Sequence, residues 1–404
     1  MEPLIDKSNK LTAEFLAESL FCLSLLSVFI PWKIYPVVFL CSAIIFFFTA
    51  YRQSINTIGQ LVKQPWCLSL LIFTGYACIS YFLTYDGQAR LSTNFVKLLI
   101  NVFFFCSAMY WLSQRNNSKL LGYLDITLHF IFLLCLIQLL LYHNRFDFQL
   151  LGGASSSAKA SALYNEHLFF WGLSDKNMFG ARLALLGFSY ILIPVVRKNR
   201  INCWRIVFVF LLAYLSLSRT PVVALLIGIF LLLWFFGKRP VKISLLLVSC
   251  ILSPFIIHKL IRVEQLTSSN DGMGVRLTYW RAFFQHFDAI SPFGNGFLKG
   301  GDFLQQYATY YHGEPHIHNT FLSCYLEFGL IGFLSYSLFL WFFYRYCNAK
   351  NAFSSFWLAA FLPLLAIMMI LYSGYDNDII LYLLLIFIIG TIKTMAANKI
   401  KITG

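Results

Sequence analysis

Residues 220–236 read Thr-Pro-Val-Val-Ala-Leu-Leu-Ile-Gly-Ile-Phe-Leu-Leu-Leu-Trp-Phe-Phe, an apolar run without a charged side chain. A hydrocarbon core about 30 Å thick is crossed by roughly 17–25 apolar helical residues, so the run reads as a short membrane span. Its neighbour Asn202–Leu217 reads the same way, and the tight turn Ser216-Leu217-Ser218-Arg219-Thr220-Pro221 joins the two. Further runs of this kind occur at Phe15–Pro31, Ile34–Ala50, Cys67–Thr84, Asn94–Leu112, Leu121–Tyr142 and Asn177–Val196. They continue at Val241–His258, Asn319–Tyr344, Ala352–Tyr372 and Ile379–Met395. Together these make about twelve spans, or ten to eleven if the short or abutted ones merge. The expectation is an all-α polytopic integral membrane protein.

Composition agrees. The 404 residues are 59% hydrophobic and 12% charged, where soluble domains carry about 25% charged residues. Mean hydropathy is +0.70. Soluble enzymes, disordered regulators and secreted disulfide scaffolds are excluded on these values. Cys22, Cys41, Cys67, Cys78, Cys106, Cys135, Cys250 and Cys324 lie inside apolar runs, and Cys203 and Cys347 beside basic turns. No Cys-x-x-Cys spacing occurs, so the cysteines read as small buried apolar residues. The net charge of +14 would suggest nucleic acid in a soluble protein. In a membrane protein it has a topological explanation, and no nucleic-acid partner is expected. The polar, mixed-charge stretch Met1–Lys10 does not resemble a cleavable signal peptide.

Orientation follows from the short loops. One set of segments holds eighteen Lys and Arg, from Lys7 and Lys10 through Arg115, Lys119, Arg197, Lys198, Lys238 and Arg239 to Lys399 and Lys401. The short loops of the opposite face hold Lys33, Arg90 and Arg219. Basic loops stay cytoplasmic, so both termini are expected in the cytoplasm. The polar segments His143–Lys176 and Lys259–Ile317 then face the exterior, which in a Gram-negative cell is the periplasm. Three regions result: 1–258 with spans one to nine and a loop at 143–176; 259–318, a long periplasmic loop; and 319–404 with the last three spans. No internal repeat or inverted pair of broken helices is visible, which weakens a secondary-transporter reading.

Candidate chemistry gathers on that outer face. Spans of about sixteen residues are roughly 24 Å long, so the turn bearing Arg219 is expected near lipid-phosphate depth. A helix N-terminus attracts anions and an arginine adds a bidentate fork, although an Arg that merely snorkels to the interface fits equally. In the long loop, Gly272 and Gly274 precede Val275–Ile290, read as an amphipathic helix with Leu277, Trp280, Phe284, Phe287 and Ile290 toward the membrane. Arg276 starts it and Arg281 lies on its other side, where generic headgroup binding is the simpler reading. His316-Ile317-His318-Asn319 ends the loop. Asn319 can cap the next helix, whose dipole would keep His318 neutral and suited to act as a general base. No carboxylate or Cys at ligand spacing accompanies His-x-His, so neither a metal nor a cofactor is expected. Glu327 falls eight residues into the tenth span, about 12 Å deep if the helix is straight; Lys97, Asp125 and Arg182 are possible partners.

These pieces resemble the O-antigen ligase/polymerase superfamily of bacterial membrane glycosyltransferases. Arg276-Leu277-x-x-Trp280 leading to Ser291-Pro292-Phe293-Gly294-x-Gly296 is similar to its Arg…Trp…Asn-Pro-x-x-Gly-x-Gly stretch, with Ser291 for the commoner Asn and a Pro-to-Gly spacing one residue shorter. His318-Asn319-Thr320-Phe321-Leu322 followed by Glu327-Phe328-Gly329-Leu330-Ile331-Gly332 resembles its His-Asn-Thr-x-Leu…Glu-x-Gly-x-x-Gly motif. The resemblance spans about Lys176 to Phe342. It implies glycan transfer at the periplasmic face of the inner membrane from an undecaprenyl-diphosphate-linked donor, without a metal and with inversion. His318 would be the catalytic base; Arg219, Arg276, Arg281, His316 and Asn319 would bind substrate. The His-x-His-Asn form and modest loops look most like enterobacterial ligases, which pass the glycan to lipid A–core oligosaccharide. A polymerase joining lipid-linked repeat units is the alternative, a protein O-glycosyltransferase a third. A lipid-linked glycan flippase is the reading from another class; it would want charges along a central path.

Overall fold

The computed structural model describes residues 4–30, 34–53, 56–87, 89–145, 147–148, 176–198, 200–261, 272–349, 354–371, 376–392 and 401–403. Most of the 143–176 loop, and Ser269-Asn270-Asp271 ahead of the loop helix, lie outside the described residues. The apolar runs form helices throughout. They are α1 (Leu4–Ser27), α2 (Tyr35–Gln53), α3 (Asn56–Val62), α4 (Pro65–Thr84), α5 (Ala89–Leu112), α6 (Ser118–Arg145), α7 (Lys176–Lys198) and α8 (Cys203–Leu215). Next come α9 (Arg219–Phe236), α10 (Arg239–Phe255), α11 (Gly272–Gln285), α12 (Gly300–Tyr307), α13 (Thr320–Ala349), α14 (Ser354–Met368) and α15 (Asn377–Gly390).

Every expected span falls on one of these helices, but they are not equal. Among the described residues seven are long and apolar enough to cross a membrane: α2, α4, α5, α6, α7, α9 and α13. Three apolar helices, at Cys203–Leu215, Ser355–Met368 and Asn377–Gly390, are shorter. The last two expected spans lie on α1, which opens with Asp6, Lys7 and Lys10, and on α10, 17 residues long. One feature is not helical: β1 (Arg200–Asn202) pairs in parallel with β2 (Lys401–Thr403).

The chain divides into two units. The first comprises Met1–Leu61, Ile100–Leu225 and Ile380–Gly404. Here α1 packs on α2 and α6, and α6, α7 and α8 pack on one another. Stacked aromatics fill the α1–α2–α5 contact, Phe39 on Phe104 at 4.1 Å and Phe46 on Trp111 at 4.8 Å. Buried and half-buried charges here have charged or hydrogen-bonding partners. Arg205 of α8 forks onto Asp125 of α6 at 2.6 and 3.1 Å, also reaches the Tyr190 carbonyl of α7 at 2.9 Å, and lies over the Tyr190 ring. Arg182 donates to the Val28 carbonyl, and Arg115 pairs with Glu18. Asp125 and Arg182, considered above as partners for Glu327, are thus engaged within this unit.

The second unit comprises Val62–Leu99 and Leu226–Ile379. Its spine is α4 packed along α13, with Phe73 against Phe328 and Tyr336. The 30-residue α13 is not straight. Gly329 has φ 57° and ψ −155°, far outside helical values, and breaks it. In an unbroken helix the carbonyls of Leu326 and Glu327 would accept from residues four further on. Here Leu326 O accepts from Asn295 N at 2.7 Å and Glu327 O from Gly296 N at 3.1 Å, while Leu330 N donates to Pro292 O at 2.8 Å. The turn 292–296 therefore gives new partners to these three backbone groups, which helps make a buried break tolerable. It also requires close backbone approach. A Cβ on Gly329 would stand 2.0 Å from Pro292 O, and one on Gly294 2.4 Å from Glu327 O. Residues 330–349 alone are about 30 Å of helix, enough to cross a bilayer. Glu327, fully buried, belongs to the short segment before the break; the depth expected from a straight helix does not apply.

Candidate active site

The long loop is a packed body and not a loose connection. Val275, Tyr279, Phe283, Ile290, Phe303, Leu304, Ile317 and Leu326 form one cluster that ties α11, α12 and the segment before α13 to α13 itself. The turn 292–296 is tied to α4: Tyr76 OH donates to Phe293 O at 2.7 Å. Lys299 pairs with Asp86 at 2.8 Å and Asp302 at 3.2 Å, and these carboxylates raise its pKa.

This packing corrects the amphipathic reading. Helix α11 starts at Gly272 and ends at Gln285, followed by a 3-10 turn at Phe287–Ala289. The face it buries carries Val275, Arg276, Tyr279, Ala282 and Phe283. Ile290, expected at the membrane, is in the loop's own core, and Trp280 is partly buried on it. Phe284 and Phe287 remain exposed, 66% and 46%. The outward face keeps the expected phase; the difference lies at Ile290 and Trp280, where the loop supplies a second apolar surface that no single helix pattern announces. Gly274, expected ahead of the helix, is a buried interior residue of α11 whose carbonyl accepts from Thr278 Oγ1.

At the end of the loop the expected cap is present. Asn319 Oδ1 accepts from Phe321 N at 3.0 Å and Leu322 N at 3.1 Å, and its Nδ2 donates to Met369 O at 3.1 Å. These bonds satisfy two of the orphan donors at the start of α13. His318, one residue earlier, has φ 58°, a left-handed conformation that non-glycine residues adopt only when their surroundings enforce it. Its ring lies beside His316, centroids 4.9 Å apart at 74°, and faces Tyr279 at 6.2 Å and 8°. Nδ1 is shielded and, among the described residues, has no hydrogen-bond partner. Burial is the main reason its pKa falls well below the usual imidazole value; His316 and Arg276 lower it further, and a hydrogen bond to the Leu371 backbone opposes them. Neutrality was the expectation, with a helix dipole as the cause. Burial and cationic neighbours carry it instead.

Arg276 is buried, sits in the second turn of α11, and donates to Gly272 O at 3.1 Å. His316, His318, Arg276 and Asn319 are thus brought together. Arg281 is exposed and is not among the groups that lower the His318 pKa. Arg219 belongs to the first unit and is half-buried at the first position of α9.

The turn that carries Arg219 is tightly built. Leu217 has φ 57°. Ser216 Oγ donates to Ala213 O at 2.7 Å, Ser218 Oγ to Asn177 Oδ1 at 3.0 Å, and His143 Nε2 bonds Leu215 O at 2.7 Å. Gly180 of α7 lets the turn approach, since a Cβ there would stand 2.9 Å from both Pro221 and Ser218. Ser216 and Ser218 thus tie this turn to α8 and α7.

One contributing residue, Tyr279, carries no motif of its own. Tyr279 is fully buried, its hydroxyl donating to the Glu314 carboxylate and accepting from His312 N at 3.2 Å. Burial first, then the Glu314 bond, raises its pKa, so the phenol stays protonated. The available signal was its position three residues after Arg276, on the same helical face. Among the described residues no three of His, Cys, Asp and Glu gather as a metal site. A cavity of about 530 Å³ in the first unit, lined by Glu14, Glu18, Gln114, Arg115, Asn116, Ser118 and Lys119, touches none of the predicted site residues.

Residues 204–337 match the family described as O-antigen ligase. The matched stretch includes the Arg219 turn, the α11 loop, His318-Asn319 and the break at Gly329. No curated protein matches the chain.

Proposed function

Starting from the match of residues 204–337 to the O-antigen ligase family, we propose that the chain belongs to that superfamily and transfers O-antigen polysaccharide from undecaprenyl diphosphate to lipid A–core oligosaccharide. The reaction runs at the periplasmic face of the bacterial inner membrane, in a chain of about twelve spans with both termini cytoplasmic. The observation that carries this reading is a half-buried histidine, its pKa drawn down beside a buried arginine, at the mouth of a capped helix inside the matched domain.

In the proposed step a core hydroxyl attacks the anomeric carbon of the donor. Its proton passes to His318, whose Nδ1 has no other hydrogen-bond partner among the described residues. The bond from the anomeric carbon to the diphosphate oxygen breaks, and the electron pair leaves with the diphosphate. Arg276 stabilises the charge that develops there, and Arg219, at the start of α9, is a phosphate contact in its own unit. Displacement from the face opposite the leaving group inverts the anomeric centre. Lipid-linked donors arrive already activated, so no soluble energy source is required. His316 and Asn319 support the base, one beside its ring and one through the cap; Arg281 fits a role at lipid headgroups.

Lipopolysaccharide from a strain lacking the protein separates the readings. Bare core with accumulating lipid-linked polymer is expected for a ligase. Core capped with one repeat unit would identify a polymerase, and loss of lipid-linked glycan from the outer leaflet a flippase.

A further inference from the structure

We infer that Tyr279 is a positioning residue: through its hydrogen bond to Glu314 it holds the segment bearing His316 and His318 in register with the helix bearing Arg276. The inference rests on the transferase reading above and adds a residue to it. Arg276 and Tyr279 lie one turn apart on the buried face of α11. From that face the Tyr279 hydroxyl grips the segment ahead of His318 twice, donating to the Glu314 carboxylate and accepting from the His312 amide. Downstream, the same segment is fixed by the Asn319 cap and its bond to Met369 O. His318 is suspended between these two anchors in a left-handed backbone conformation that it would not keep unaided. Apolar packing alone could hold the loop against α13, but it tolerates sliding. A phenol–carboxylate bond is directional and charge-assisted, so it sets register as well as adhesion. The Tyr279 ring, parallel to the imidazole, closes one side of the space in which His318 stands.

The test uses the full-length protein in lipid nanodiscs with a lipid-linked donor and core acceptor. Tyr279→Phe keeps the ring and removes both hydrogen bonds. Its kcat should fall about ten- to hundredfold with the donor KM nearly unchanged, because Arg276 stays on its own helix. Glu314→Gln can still accept from the phenol and should keep most of the activity. Glu314→Ala, which leaves the His312 bond, should lose most of what Tyr279→Phe loses, and the double variant should be no worse than Tyr279→Phe. A second readout needs no turnover: the rate at which diethyl pyrocarbonate modifies His318, followed by mass spectrometry, should rise severalfold in Tyr279→Phe and Glu314→Ala but not in Glu314→Gln. Wild-type kcat with an unchanged modification rate in Tyr279→Phe would overturn the inference, as would equal damage from Gln and Ala at position 314. If the wild type transfers to no acceptor, the transferase reading fails by itself, and the modification rates still decide whether Tyr279 positions His318. Should Tyr279→Phe fail to fold, the Glu314 pair carries the decision.

Discussion

At the residue scale, His318 is the group on which the proposed chemistry turns, and its environment makes a signed prediction. Burial, His316 and Arg276 all disfavour the imidazolium. The folded pKa lies below the unfolded value of about 6.5, so the base is fully available at neutral pH. As pH falls below about 6.5 the unfolded chain binds a proton that the folded ring refuses, and stability declines until the folded pKa is reached. Transfer, read as kcat/KM, should hold its plateau through that window and fall only well below it. His316→Ala removes one of the groups that lower the pKa, so its acid limb should move up toward about 6.5 while the plateau is largely kept. An unchanged limb would mean that His316 does not set the pKa of the base. His318→Ala should insert normally and lose transfer altogether; an active variant would remove the base assignment. Arg276→Lys asks whether charge or shape matters. A planar fork can bind two diphosphate oxygens and an ammonium cannot reproduce it, so transfer should fall about tenfold or more despite the retained charge.

At the element scale, the break in α13 ranks with the catalytic groups in importance. The turn 292–296 and the segment 326–330 supply each other's missing hydrogen bonds, and this contact sets the direction in which α13 leaves the site. Gly329→Ala puts a methyl group where Pro292 O now stands and forces alanine into a glycine-only conformation. The backbone strain alone is worth about 1–3 kcal/mol. The variant should show earlier protease cleavage within 291–296 and a lower melting temperature, together with lost transfer; a fully stable, active variant would mean that the turn re-docks elsewhere. Both halves of the contact were visible in the sequence as glycine-bearing motifs. Their meeting was not, because nothing local in residues 291–296 specifies a partner thirty residues later. The Asn319 cap was legible for the opposite reason: an Asn followed by an apolar periodic run carries its own geometry. Helix α11 stands between these cases. Its existence and its outward face were readable from periodicity, but not the second apolar face, where Val275, Tyr279 and Phe283 meet a core made by residues 290–326.

At the scale of the whole molecule, the strongest argument is the asymmetry of charge. Eighteen basic residues belong to one set of short segments and Lys33, Arg90 and Arg219 to the short loops of the other. Moving even one Lys or Arg to the wrong side works against the insertion machinery, and the bias here repeats at nearly every turn. The orientation is therefore predicted independently of any family likeness, and it decides whether His318 can meet a periplasmic acceptor. Two positions test it without touching the proposed chemistry. Lys238 lies in the basic turn between α9 and α10, and Phe293 is 69% exposed on the turn that docks against α13. Cysteine placed at each in turn should label differently with a membrane-impermeant maleimide applied to intact spheroplasts. The Phe293→Cys protein should react at once, and the Lys238→Cys protein only after the membrane is permeabilised. The native cysteines lie mostly in apolar helices, where a charged reagent has little access and a thiol little tendency to ionise. Labelling of Lys238→Cys in sealed cells, with Phe293→Cys protected, would invert the protein in the membrane. The neutral histidine would then face ATP and soluble nucleotide sugars in the cytoplasm, and transfer from an exported lipid-linked donor could not be its reaction.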